Sequence, residues 1–140
     1  MIRNLLLATF GLLFALQANA ADVVGKWRTI DDESGKPRSI VEIYEKDGKY
    51  FGKIVQLLLK PNDTICENCP GDLKGKPIVG MNVITNMVKK GNKYEGGEIM
   101  DPVKGKIYDC KFWLENDNTL KVRGYLGFLY RTQTWYRVEE

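Results

Sequence analysis

The sequence predicts an all-β domain, an antiparallel meander of about eight strands closed into a small barrel. Three observations carry this. Turn-forming pairs recur at short intervals, with β-type segments between them. The clearest segment, 106–115, alternates strictly: Tyr108, Cys110, Phe112 and Leu114 share one face, and Asp109, Lys111 and Glu115 take the other. No crossover helix separates the segments, so neighbours in sequence pair antiparallel. Closing such a meander removes its exposed edges.

Taken in order, 25–30 is a first short strand, followed by a polar loop over 31–37 that contains Gly35. Residues 39–46 and 50–59 form a hairpin around Asp47-Gly48, a pair that suits a type I′ turn because both central positions need positive φ. Residues 60–77 form a long loop rich in Pro, Gly, Asn and Asp. Segment 78–88 reads two ways: Val79, Met81 and Val83 alternate as in a strand, whereas Met81, Ile84 and Val88 fit a helix. Strand is the preferred reading, giving eight strands, or seven with a short helix. Gly91-Asn92 turns the chain into 93–100, and Asp101-Pro102 with Gly105 turns it into 106–115. After Asn116-Asp117-Asn118 come 120–125 and 132–138, with Gly127 near the bend between them.

Ahead of this domain lies an export pattern. Arg3 supplies the positive start, an apolar run follows to Leu16, and Ala18-Asn19-Ala20 is a small-x-small cleavage site. Residues 1–20 are therefore read as a cleaved signal peptide and 21–140 as one domain, expected in the periplasm or secreted. The apolar run is shorter than the roughly 20 residues a spanning helix needs. A second run of spanning length does not occur, so the mature protein is expected to be soluble rather than membrane-spanning.

Apolar and charged residues make up 44% and 28% of the chain, as in ordinary globular proteins. The formal charge of +3 falls to +2 once Arg3 is removed, too weak and dispersed for a nucleic-acid footprint.

The three cysteines are Cys66 and Cys69, in a CxxC loop, and Cys110 on a strand. A thioredoxin-type motif would open a helix beside a βαβ unit, and haem attachment needs His after the second cysteine, where Pro70 stands. The preferred reading is a Cys66–Cys69 disulfide in an oxidising compartment, with Cys110 a buried free thiol. A three-thiolate zinc site and a bridge from either loop cysteine to Cys110 remain alternatives.

The chain contains no His, which removes Ser-His-Asp and Cys-His mechanisms within one chain. Ser34 and Ser39 sit in no nucleophile-elbow pattern. Glu98 and Asp101 flank a strand end, but Asp101-Pro102 before Gly105 reads more simply as a turn. The expectation is a protein that is not an enzyme, with no catalytic residue, metal or cofactor.

Residues suited to holding a ligand lie on the later strands. Tyr108, Phe112, Tyr125 and Trp135 are candidates to face or rim a cavity, and the guanidinium, phenol and amide groups of Arg123-Gly124-Tyr125 and Arg131-Thr132-Gln133 could fix the polar end of a bound molecule. Exposed salt-bridge partners are the competing account of the two arginines. Trp27, in Gly25-Lys26-Trp27, opens the first strand, and Arg137 closes the last. In a closed barrel the two can stack as a cation–π pair. This resembles the lipocalin and wider calycin pattern, in which an early Trp and a late Arg plug one barrel end.

A longer resemblance covers 25–137. The Cys66-x-x-Cys69-x-Gly71 loop, the run Gly96-Gly97-Glu98-Ile99-x-Asp101-Pro102-x-x-Gly105-Lys106-x-Tyr108, and the ending Leu120-x-Val122-Arg123-Gly124-Tyr125 through Arg131-Thr132-Gln133-x-Trp135 carry it. The chain thus resembles bacterial domain-of-unknown-function family 2147, small exported proteins with no assigned activity. One departure is Phe128-Leu129-Tyr130, where the family usually has a Gly-rich bend. The resemblance implies an envelope location and a lipocalin-like barrel, and no catalytic residue. The leading expectation is a binding protein for a small hydrophobic or amphipathic ligand. The alternative is a filled barrel that acts through its surface as an interaction or envelope-stress protein.

Overall fold

The computed structural model describes residues 22–139. The signal segment 1–20 and its cleavage site lie outside the described residues. Eight strands follow one another: β1 (Gly25–Ile30), β2 (Pro37–Lys46), β3 (Lys49–Leu57), β4 (Asn82–Lys90), β5 (Lys93–Asp101), β6 (Lys106–Asn116), β7 (Thr119–Leu126) and β8 (Leu129–Arg137). Each pairs antiparallel with the next, and β1 pairs with β8, so the sheet is a closed barrel.

Local chemistry explains the turns. Asp47 and Gly48 both take positive φ, 53° and 80°, as a type I′ hairpin requires. Between β7 and β8 only Gly127 does, with φ 64°, and Phe128 completes a two-residue turn. The last strand therefore starts at Leu129, three residues before the expected start. The 78–88 segment is a strand only from Asn82. Before it the chain is held to β3 by loop hydrogen bonds, Gly80 N–H to the Ile54 carbonyl (2.7 Å) and Ile54 N–H to that of Met81 (3.0 Å).

The Gly96-Gly97 pair has a backbone reason. Gly96 has φ 88°, and Asn86 on the neighbouring strand has φ 59°, so both ladders kink at the same level. Gly97 is buried against the Thr85 carbonyl and the Met87 sulfur, with no room for a Cβ.

The long loop after β3 carries one 3₁₀ turn (Gly71–Leu73) and the Cys66–Cys69 disulfide, with a Cα–Cα distance of 5.5 Å. Asn68 Nδ2 donates to the Val103 carbonyl (2.8 Å), and the Asn68 backbone packs on Gly105. The loop is thus pinned across the β5–β6 turn. Cys110 is a buried free thiol, its pKa pushed up to about 12 by burial.

Side chains fill one half of the barrel. Trp27, Ile43, Met87, Phe112 and Leu120 have no exposed surface there. Tyr94 stacks on Phe112 at 5.0 Å and meets Tyr50 edge-on at 4.8 Å. This plug occupies the end that carries the β2–β3, β4–β5 and β6–β7 turns.

Candidate ligand-binding site

The opposite half is hollow. A cavity of about 500 Å³ lies among the later residues of β1, β3, β5 and β7 and the earlier residues of β2, β4, β6 and β8. Strand alternation sets its walls: Val41, Ile54, Val83, Ile99, Val122 and Trp135 all line it. Gly124 helps keep the space open, because a side chain there would grow from a Cβ only 3.4 Å from that of Tyr108.

Polar groups gather around these walls and toward the mouth. Thr29 and Ser39 are buried on neighbouring strands, with their hydroxyls 2.8 Å apart. The Arg38 guanidinium donates to Asp101 Oδ1 at 2.9 Å, and both side chains are mostly buried. Burial works against the Asp101 charge, but Arg38 outweighs it with a hydrogen bond and its own charge, helped by the Val103 and Lys104 N–H groups. The carboxyl is held below its ordinary value. A second chain of contacts runs from the wall to the rim. Trp135 Nε1–H donates to Gln133 Oε1 (2.9 Å), and Gln133 Nε2–H donates to Asp32 Oδ2 (2.9 Å). Arg131 reaches the same oxygen at 3.4 Å.

Three of the six residues expected to hold a ligand line this cavity: Tyr108, Arg131 and Trp135. The other three do not. Phe112 points inward but belongs to the plug: it is fully buried and stacks on Tyr94, its register partner on β5. Arg123 and Tyr125 point outward, since alternation through buried Leu120 and Val122 turns their side chains to the outer face. Arg123 stacks on the Tyr130 and Trp113 rings at 4.2 and 5.1 Å and donates to Thr132 Oγ1 at 2.7 Å.

Gln133, whose amide the sequence also offered for a ligand's polar end, lines the cavity as well. Sequence reasoning missed Thr29, Ser39, Arg38 and Asp101. The inward phase shared by Trp27 and Thr29 was a usable signal for the first of them. No local signal brings Arg38 to Asp101, which meet only across the closed barrel.

Trp27 and Arg137 are register partners at the β1–β8 seam, with the guanidinium carbon 4.4 Å from the ring centroid. Among the described residues, no group of three or more Cys, Asp or Glu side chains is placed to hold a metal ion. No described helix is long and apolar enough to cross a membrane.

Comparison with curated proteins returns no match. Among solved structures, the chain is similar to a protein of the human pathogen Helicobacter pylori described as belonging to the lipocalin family. The TM-score is 0.77 at 20% sequence identity, covering 86% of each chain. The architecture is thus a lipocalin-like barrel. The model of DUF2147, described as an uncharacterized protein conserved in bacteria, matches residues 25–137, and with nearly all of the described barrel inside that match, the chain belongs to this family.

Proposed function

We propose that the protein is an exported binding protein, periplasmic or secreted, that takes one small hydrophobic or amphipathic molecule into the open half of its barrel. One observation carries the reading. A cavity of about 500 Å³ has apolar walls and a limited set of polar groups toward one end. Binding sites for small molecules typically occupy roughly 300–1,000 Å³ and are built in this way. The apolar part of a ligand would lie against Val41, Ile54, Val83 and Val122. Its polar end would meet Tyr108, Gln133, Arg131 and the Thr29–Ser39 hydroxyl pair. Export rests on the 1–20 segment.

Native mass spectrometry of protein purified from its own host tests this reading. The expected result is a co-purifying small mass at about one per chain. Clean apo protein that brings down a partner protein would instead support a surface-acting barrel.

A further inference from the structure

The β7–β8 hairpin is the most apolar exposed feature among the described residues. Its tip presents Phe128 at 91% exposure, with Leu126 and Leu129 at 62% and Tyr130 at 60%. These residues sit at the cavity end, and Leu126, Leu129 and Tyr130 also line the cavity.

The hairpin is layered along its length. Leu126, Gly127, Phe128 and Leu129 form the outermost layer. Tyr125 and Tyr130 come next, with ring centroids 5.7 Å apart. Arg123 and Arg131 lie behind them, with no Asp or Glu anywhere from Thr119 to Arg137. Arg131 shares Asp32 at 3.4 Å with its side chain 72% exposed, and Arg123 makes no ion pair among the described residues.

We propose that this tip docks on an anionic lipid bilayer, with Phe128 and the two leucines in the acyl region, the tyrosines at the interface and the arginines at the phosphates. The order apolar, tyrosine, arginine follows the polarity gradient of a leaflet. Charge agrees, because the hairpin carries cations alone. Shape agrees as well: a two-residue tip is convex and offers little area to a protein partner. Its flanking backbone is paired Leu126 to Leu129 and Tyr125 to Tyr130, so few polar groups would enter the lipid unsatisfied. Docking would bring the cavity mouth to the membrane surface, where an amphipathic molecule could pass without crossing water. The docking itself does not depend on the cavity being occupied.

The test is pelleting of the mature protein with sucrose-loaded vesicles of phosphatidylcholine, alone or mixed with phosphatidylglycerol. Wild type should pellet with the mixed vesicles, less at high salt. Phe128→Asp should lower that partition roughly tenfold or more, and Arg123→Gln should weaken its salt dependence. A dye on Phe128→Cys should shift to the blue on adding mixed vesicles. Wild type that fails to pellet, or Phe128→Asp that pellets as wild type does, overturns the proposal. Self-association in sedimentation without vesicles, abolished by Phe128→Asp, also overturns it and assigns the tip to a second copy. Ligand binding is read separately, by dye titration without vesicles, so either reading can fail alone.

Discussion

Arg137 lies over the Trp27 ring at 4.4 Å and donates hydrogen bonds to three backbone carbonyls: Asp117 (2.8 Å), Val24 (3.2 Å) and Asp22 (2.6 Å). Trp27 Nε1–H in turn donates to the Val23 carbonyl at 2.8 Å. One guanidinium thus joins the segment just before β1, the barrel seam and the β6–β7 turn. Gly25 is the tolerance in this contact, because a Cβ there would sit 3.0 Å from Arg137 Nη1.

Arg137→Ala should destabilise by about 2 kcal/mol or more, combining the ring contact with carbonyls left without a donor. A double-mutant cycle with Trp27→Phe should return a coupling of about 0.5–2 kcal/mol in denaturant melts. Zero coupling would mean that the ring contact adds nothing to the seam.

The two halves of the barrel should respond oppositely to added volume. Phe112→Trp overpacks the plug and should cost about 1–3 kcal/mol, with little effect on a hydrophobic dye. Gly124→Leu grows into the cavity. It should leave the melt nearly unchanged and reduce dye affinity roughly tenfold, about 1.4 kcal/mol. Dye titration beside thermal melts separates the two, and unchanged dye affinity in Gly124→Leu would place the dye elsewhere.

Thiol chemistry should divide by burial. Native protein should resist iodoacetamide, since Cys66 and Cys69 are bridged and the Cys110 pKa stands at about 12. Alkylation after denaturation without reductant should add one label, at Cys110, read by intact mass. Replacing Cys66 and Cys69 with Ser should cost only about 1–2 kcal/mol, because so short a loop gains little chain entropy.

Asp101 should contribute to acid sensitivity. Its folded pKa lies below the ordinary 3.8. The stabilisation is therefore complete well above 3.8 and fades as the pH falls through that value toward the folded pKa. Melts between neutral pH and the acid limit should lose less stability in Asp101→Asn than in wild type. Equal acid slopes would show that the Arg38 pair carries no linkage.

The export proposal predicts a mature chain starting at Ala21. Changing Ala18 and Ala20 to Arg should leave the precursor uncut, as read by intact mass of the processed fraction. Full-length wild type beginning at Met1 in the periplasm would contradict it.

Strand identity was legible in the residues because both of its signals are local. Period-two alternation placed 106–115, and turn chemistry at Asp47-Gly48 and Gly91-Asn92 bounded its neighbours; β4 began at Asn82 because non-repeating hydrogen bonds, invisible to periodicity, hold Gly80 and Met81 to β3. Alternation could also have turned Tyr125 outward, had Leu120 and Val122 been used to phase β7. Alternation states only which face a residue takes. It does not state the height along the barrel axis, which depends on the register of all eight strands. That height is why Phe112 joined Tyr94 in the plug while Tyr108, on the same face of the same strand, reached the cavity. Closure likewise decided the pairing of Arg38 with Asp101, two side chains from β2 and β5 that no sequence spacing relates. By itself the sequence determined the strands, the turns and the CxxC loop. Only the closed barrel decided which inward residues fill it and which surround empty space.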